Sequence, residues 1–143
     1  MFARTIQVLL VEDDEVEAEA ILRAVHKHQL PLNITIATDG LEALTLLKSR
    51  QNGTLALHPN ITLLDLNMPR MSGLEFLDAI RQDSGLRRNI VFVLTTSNRD
   101  EDKVAAYDRN IAGYLVKSRL GEDFSLLTNL LDIYWQIIEF PPE

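Results

Sequence analysis

The sequence predicts an α/β domain: a doubly wound, five-stranded parallel sheet with helices on both faces. Three observations carry that prediction. Short β-rich apolar runs alternate with helix-period segments along the whole chain. The first run, Ile6 to Val11, is continuous rather than alternating, as in a strand covered on both faces. The 143 residues, 46% of them hydrophobic, are enough for one core. A single domain is therefore expected over 1–143, with its core at about 6–138 and a tail at 139–143.

The first strand is the run Ile6 to Val11. Ala18, Ile21, Leu22 and Val25 follow at helical spacing and predict a helix with one buried face. Asn33 to Ala37 is the second strand. Thr38-Asp39-Gly40 introduces a helix carrying Leu41, Ala43, Leu44 and Leu47. Residues 50–60 are expected to be a long connection. Ile61 to Leu64 is the third strand, and 67–73 a loop by its Pro69 and Gly73. Leu74, Leu77, Ala79 and Ile80 mark a third helix. Ile90 to Leu94 is the fourth strand. Residues 99–110 are a polar helix with Val104, Ala105 and Tyr107. Gly113 to Val116 is the fifth strand, and Phe124 to Phe140 the last helix.

Composition narrows the function classes. Fourteen Lys and Arg against 21 Asp and Glu leave a net charge of −7, which argues against a nucleic-acid partner. No cysteine is present, so no disulfide framework or thiolate metal site is expected, and a reducing, cytoplasmic setting fits. No apolar run approaches the roughly 18 residues a membrane helix needs. The opening residues M-F-A-R-T-I-Q lack the pattern of a signal peptide.

In open parallel sheets, ligands bind beyond the carboxyl ends of the strands, where the strand order switches. With the order 2-1-3-4-5 of flavodoxin-like sheets, strands one and three are neighbours. Strand one ends in Glu12 and Asp13, strand three in Asp65, strand four in Thr95 and Thr96, and strand five in Lys117. Taken singly, most of these have a plain explanation: Asp65 as a turn cap, Thr95 as a strand residue, Lys117 as a solvated end. Asp14, Glu15 and Glu17 are accounted for as acids that complement a helix start. Three carboxylates in one crevice, however, repel unless a cation intervenes. Mg²⁺ takes one or two carboxylates, keeps several waters and coordinates phosphate oxygens. A carboxylate beside it can act as a nucleophile and form an aspartyl phosphate. Lys117 and Thr95 would supply a positive charge and a hydrogen bond to the phosphoryl oxygens. His26, His28 and His58 have no partner pattern and read as surface residues.

The segments L-L-V-E-D-D, A-T-D-G-L-E-A-L, L-L-D-L-N-M-P-R-M-S-G-L-E-F-L, V-F-V-L-T-T-S and G-Y-L-V-K occur in that order. Together they resemble the receiver domain of two-component response regulators, from about Ile6 to about Ile138. The resemblance implies a Mg²⁺ site at Glu12, Asp13, Asp65 and the backbone carbonyl of Asn67, with Glu12 acting through water. It implies that Asp65 accepts a phosphoryl group from a sensor histidine kinase. Lys117 and Thr95 would contact that group, and Thr95 and Tyr114 would act as the switch pair. Met68-Pro69 and Gly73 match the loop after the acceptor. Such a protein catalyses only its own phosphorylation and dephosphorylation, and signals through the surface of helix four, strand five and helix five.

One position departs from the family. Ser118 follows Lys117 where the family has a cis proline, and a cis bond without proline costs roughly 2.5–4 kcal/mol. That cost weighs towards a trans bond with an altered loop, and the sequence leaves cis or trans at Lys117–Ser118 open. The residue count leaves no room for an output domain, so output falls to the last helix. Its Leu127, Leu130, Leu131, Tyr134 and Ile138 suit a core face. Ile133, Trp135, Ile137 and Phe140, with Leu126, do not fit that face and are candidates for a homodimer contact. Burial of these residues under the 50–60 loop or the tail is the alternative. The 50–60 loop and the ending W-Q-I-I-E-F-P-P are similar to stand-alone receivers paired with bacterial phytochromes, which implies a light-sensing kinase as partner.

Three rivals remain at this stage. A flavin or nucleotide binder needs phosphate-cradling N–H groups after strand one, where Glu12 and Asp13 would repel a phosphate. A haloacid-dehalogenase-like phosphatase needs its nucleophilic Asp on strand one. A pseudo-receiver, an interaction module without phosphorylation, draws support from Ser118.

Overall fold

The computed structural model describes residues 5–142. Residues 1–4, at the start of the segment read for a signal peptide, and Glu143 at the end of the predicted tail lie outside the described residues. The elements are β1 (Ile6–Val11), α1 (Glu15–Lys27), β2 (Leu32–Ala37), α2 (Gly40–Lys48), β3 (Arg50–Gln51), β4 (Thr54–Leu55) and β5 (Ile61–Leu64). They continue with α3 (Gly73–Gln82), β6 (Val91–Thr95), α4 (Asp100–Tyr107), β7 (Gly113–Val116) and α5 (Ser125–Ile137). The main sheet is parallel with the order β2-β1-β5-β6-β7. Counting only its five strands, that is the predicted 2-1-3-4-5.

Alternation along the strands divides the core. Val8, Leu10, Leu63 and Leu94 point to the side covered by α1 and α5, where they meet Ile21, Leu127 and Leu131. Leu9, Val11, Leu64 and Val93 point to the other side, against Ala43, Leu47, Phe76 and Ile80 of α2 and α3. Both faces of the central strands are largely apolar, and the sheet's charged residues gather at its carboxyl end.

Five details differ from the sequence reading. Residues 50–60 are not structureless: β3 and β4 form an antiparallel ribbon around Asn52-Gly53. Both turn residues have positive φ, 55° and 82°. That is the type I′ geometry for which Asn-Gly is the favoured pair. On α1, Leu22 sits at the exposed margin and Ala24 takes the buried place. On α4, Val104 and Tyr107 are exposed and only Ala106 is buried. β6 runs one residue later than predicted, from Val91 to Thr95.

The fifth concerns α5, which ends at Ile137 rather than Phe140. Ile138 is extended, with φ −98° and ψ 138°. Pro141 disfavours helical backbone at the residue before it. The extended tail brings the Phe140 ring back to Tyr134, with centroids 6.4 Å apart, and Tyr134 meets Phe92 edge-on at 5.1 Å. Trp135 and Phe140 are therefore partly buried against the α1/α5 side of the core. Of the dimer candidates, Ile133 and Ile137 remain open, at 59% and 73% exposure, along with Leu126 at 54%.

Candidate metal and phosphoryl site

β1 delivers two acids to the carboxyl end of the sheet. Glu12 is fixed from its backbone, its N–H donating to the Ala37 carbonyl at 2.9 Å. Asp65 is fixed in the same way, its N–H donating to Val11 at 3.0 Å. Glu12, Asp13 and Asp65 each place a carboxylate oxygen within 4.8 Å of the other two. Glu12 and Asp65 are buried, whereas Asp13 is exposed. The cluster is therefore closed on the protein side and open to water on the other. This all-oxygen, multiply anionic set suits a hard divalent cation that keeps part of its water shell. Asn67 lies beside it, exposed, with its N–H 3.4 Å from Asp65 Oδ1.

The loop after β5 is held by two close approaches. The Gly73 N–H donates to the Leu66 carbonyl at 2.9 Å. A Cβ on Gly73 would lie 2.4 Å from the Asp65 carbonyl oxygen. The Gly40 N–H donates to Met71 at 3.2 Å. The Arg70 Nε donates to Asp39 Oδ2 at 2.6 Å, while Asp39 Oδ1 caps α2 through the Glu42 N–H at 2.8 Å. The Glu42 N–H, outweighing burial and aided by Arg70, holds the Asp39 carboxyl below its ordinary range. Asp39, which ends edge strand β2, thus anchors the loop next to the acid cluster rather than joining it.

Lys117 arrives from the end of β7 as a 3₁₀ turn begins. Among the described residues no peptide is cis, so the Lys117–Ser118 bond is trans. The side chain nevertheless reaches the cluster. Its Nζ lies 2.5 Å from Glu12 Oε1 and 3.5 Å from Asp65 Oδ2. It also hydrogen-bonds Glu17. Burial alone would lower the Lys117 pKa, but Glu12 and Glu17 outweigh it and hold the ammonium above its ordinary range. Burial pushes the Glu12 carboxyl up to about 8, with Lys117 pulling it down and Asp65 pushing it further up.

Thr95 is fully buried at the end of β6, and its hydroxyl lies 3.4 Å from the Ser97 N–H. The Tyr114 hydroxyl donates to the Ser97 carbonyl at 3.1 Å. Burial above all raises the Tyr114 pKa. Ser97 also hydrogen-bonds Asp102 on α4 through its hydroxyl. The segment after β6 therefore links Thr95, Tyr114 and α4.

The structure thus brings together Glu12, Asp13, Asp65, Asn67 and Lys117, with Thr95 and Tyr114 on the adjoining loop. Asp14 is a helix-start acid, as the sequence suggests: its side chain caps α1 by accepting from the Val16 and Glu17 N–H groups. Glu17 is more than a helix-start acid, because its carboxylate holds Lys117. The one signal for that contact is its place in the first turn of α1, just after the strand end that carries Glu12 and Asp13. His26, His28 and His58 are exposed and outside the cluster.

Comparison with known proteins points the same way. The family model of the response regulator receiver domain matches residues 8–126. Response regulator Rcp1 of a Synechocystis strain is 33% identical over 128 residues, covering 90% of this chain and 87% of Rcp1. The Mn²⁺-bound structure of Rcp1 superposes with a TM-score of 0.83 at 31% identity, covering 96% of this chain and 99% of that one. The phosphorylated cyanobacterial phytochrome response regulator RcpA gives a TM-score of 0.86 at 28% identity, covering 97% and 100%. The five-stranded parallel sheet, the acids at its carboxyl edge and the match over most of the chain agree: the protein belongs to the response regulator receiver domain family.

Proposed function

We propose that this chain is a single-domain response regulator that takes a phosphoryl group onto Asp65 from a sensor histidine kinase. The observation that carries this reading is the position of Asp65 at the end of β5. Glu12 and Asp13 oxygens lie within 4.8 Å of its carboxylate, and Lys117 Nζ lies 3.5 Å away. An Asp65 oxygen attacks the phosphorus of a phosphohistidine. The P–N bond breaks, and its electron pair leaves with the imidazole nitrogen. Hydrolysis later returns the carboxylate when water attacks phosphorus. Mg²⁺, held by Glu12, Asp13, Asp65 and the Asn67 carbonyl, would supply neutralisation of the phosphoryl oxygens. Lys117 donates to one of those oxygens and Thr95 to another. Drawing Thr95 inward shifts the segment that links it to Tyr114 and α4, which alters the surface of α4, β7 and α5. The chain acts on no substrate but its own aspartate.

Acetyl phosphate with Mg²⁺, followed by intact mass, tests the reading. The protein should gain one phosphate and Asp65→Asn none. No gain in the wild type, together with no binding of beryllofluoride, would favour the pseudo-receiver.

The similarity to the phytochrome response regulator RcpA supports a phytochrome as the kinase, and the lack of cysteine fits a cytoplasmic setting. No helix of the described residues is long and apolar enough to cross a membrane. The open stripe Leu126, Ile133 and Ile137 supports a self-complementary dimer through α5. Ile133→Glu with Ile137→Glu should give a monomer by light scattering, with the melting temperature nearly unchanged. A wild type already monomeric at tens of micromolar would exclude that dimer.

A further inference from the structure

The Lys117 ammonium is shared unequally. It hydrogen-bonds Glu12 and Glu17, while its 3.5 Å separation from Asp65 exceeds hydrogen-bonding distance. Glu12 comes from the end of β1 and is shut inside. Glu17 comes from the first turn of α1, and its side chain is 31% exposed, against 8% for Lys117. The two carboxylates together draw the ammonium towards α1, short of Asp65. A phosphoryl group on Asp65 would need that ammonium back. Once a cation engages Glu12, Glu17 is the carboxylate left holding it.

We propose that Glu17 is a positioning residue that holds Lys117 on the α1 side and competes with the phosphoryl group for its ammonium. The inference rests on the receiver reading above and adds a residue that sets how tightly the phosphorylated state is held. It needs no contact between Glu17 and the phosphoryl group. The contact depends on reach as well as charge. Aspartate at 17 keeps the charge but falls a methylene short, and glutamine keeps the length but loses the charge. Glu19, exposed on the same helix, offers a change of charge alone.

The test is titration of beryllofluoride at saturating Mg²⁺ into the wild type, Glu17→Gln, Glu17→Asp and Glu19→Gln. Both Glu17 variants should bind about twofold to fivefold more tightly, the scale of one partly exposed ion pair removed from competition. Glu19→Gln should match the wild type. Glu17 variants indistinguishable from the wild type would overturn the inference and leave the receiver reading intact. Tightening in Glu17→Gln but not in Glu17→Asp, or equal tightening in Glu19→Gln, would assign the effect to net charge and overturn it too. A wild type that binds no beryllofluoride would overturn both readings.

Discussion

Gly73→Ala should lower the stability of the protein by about 2 kcal/mol and slow its phosphorylation. Gly73 is the first residue of α3, with Ser72 as its N-cap in a full capping box with Glu75. By helix propensity alone alanine would stabilise this position, by roughly 0.5–1 kcal/mol. Packing opposes it more strongly. The new methyl would meet the Asp65 carbonyl oxygen at 2.4 Å and the Leu66 Cα at 2.7 Å. Both are backbone atoms of the strand end, so no side chain can rotate away. Overpacking of this kind costs about 1–3 kcal/mol. Either α3 backs away, stretching the 2.9 Å bond from the Gly73 N–H to Leu66, or Asp65 turns. In both cases the acid cluster loses its geometry. At this chain length the stability loss corresponds to a melting temperature roughly 4–8 °C lower. Gly85→Ala is the control, because its methyl would meet only the Asp83 carboxylate at 3.4 Å. Equal melting temperatures for the two variants would refute the argument.

The same close packing explains what the sequence discloses. The central strands β1, β5 and β6 are legible because burial on both faces writes them as nearly unbroken apolar runs. The acids are legible because a polar residue directly after such a run has few places to go but the sheet edge. The Asn52-Gly53 turn was equally open to reading, but its strands are two residues each, too short for any periodicity. The fate of Trp135 and Phe140 was not. A helix apolar nearly all round does not state which side a tail will cover, and that depends on the turn at Ile138 and on a ring contact with Tyr134. Glu17 was hidden for a related reason. A local rule for helix starts accounts for it fully, and its partner lies 100 residues away. Peptide energetics weighs towards a trans bond before Ser118 without deciding it, and the structure has it trans. That Lys117 still reaches Glu12 and comes within 3.5 Å of Asp65 is not legible in the sequence, since side-chain reach is invisible in a one-residue substitution.

Lys117→Gln should destabilise the metal-free protein above about pH 8, by an amount that grows with pH to about 2 kcal/mol and is recovered by Mg²⁺. Removing one partner of a buried ion pair costs roughly 3–5 kcal/mol when the other charge must stay. Glu12 has an escape, because it can take up a proton. Burial already pushes its carboxyl to about 8, from an ordinary 4.5, with Lys117 present to pull it down. Without Lys117 that pull is gone and the folded value lies higher still. A group whose folded pKa is raised binds protons more tightly folded than unfolded, so its contribution to stability is complete below about 4.5. That contribution declines as pH rises towards the folded value. In the wild type the decline stops at about 8 and in the variant it continues, so the two should differ little at pH 5 and 7 and the variant should fall furthest behind near pH 9. Lys117 keeps its own charge throughout that range, because its pKa is raised above 10.5. A divalent cation bound only by the folded state supplies the missing charge and restores stability by mass action. Urea unfolding at pH 5, 7 and 9, with and without millimolar Mg²⁺, measures all of this. A deficit independent of pH would mean that Lys117 acts by packing alone. A deficit that Mg²⁺ leaves unchanged would mean that Glu12 does not face the metal site.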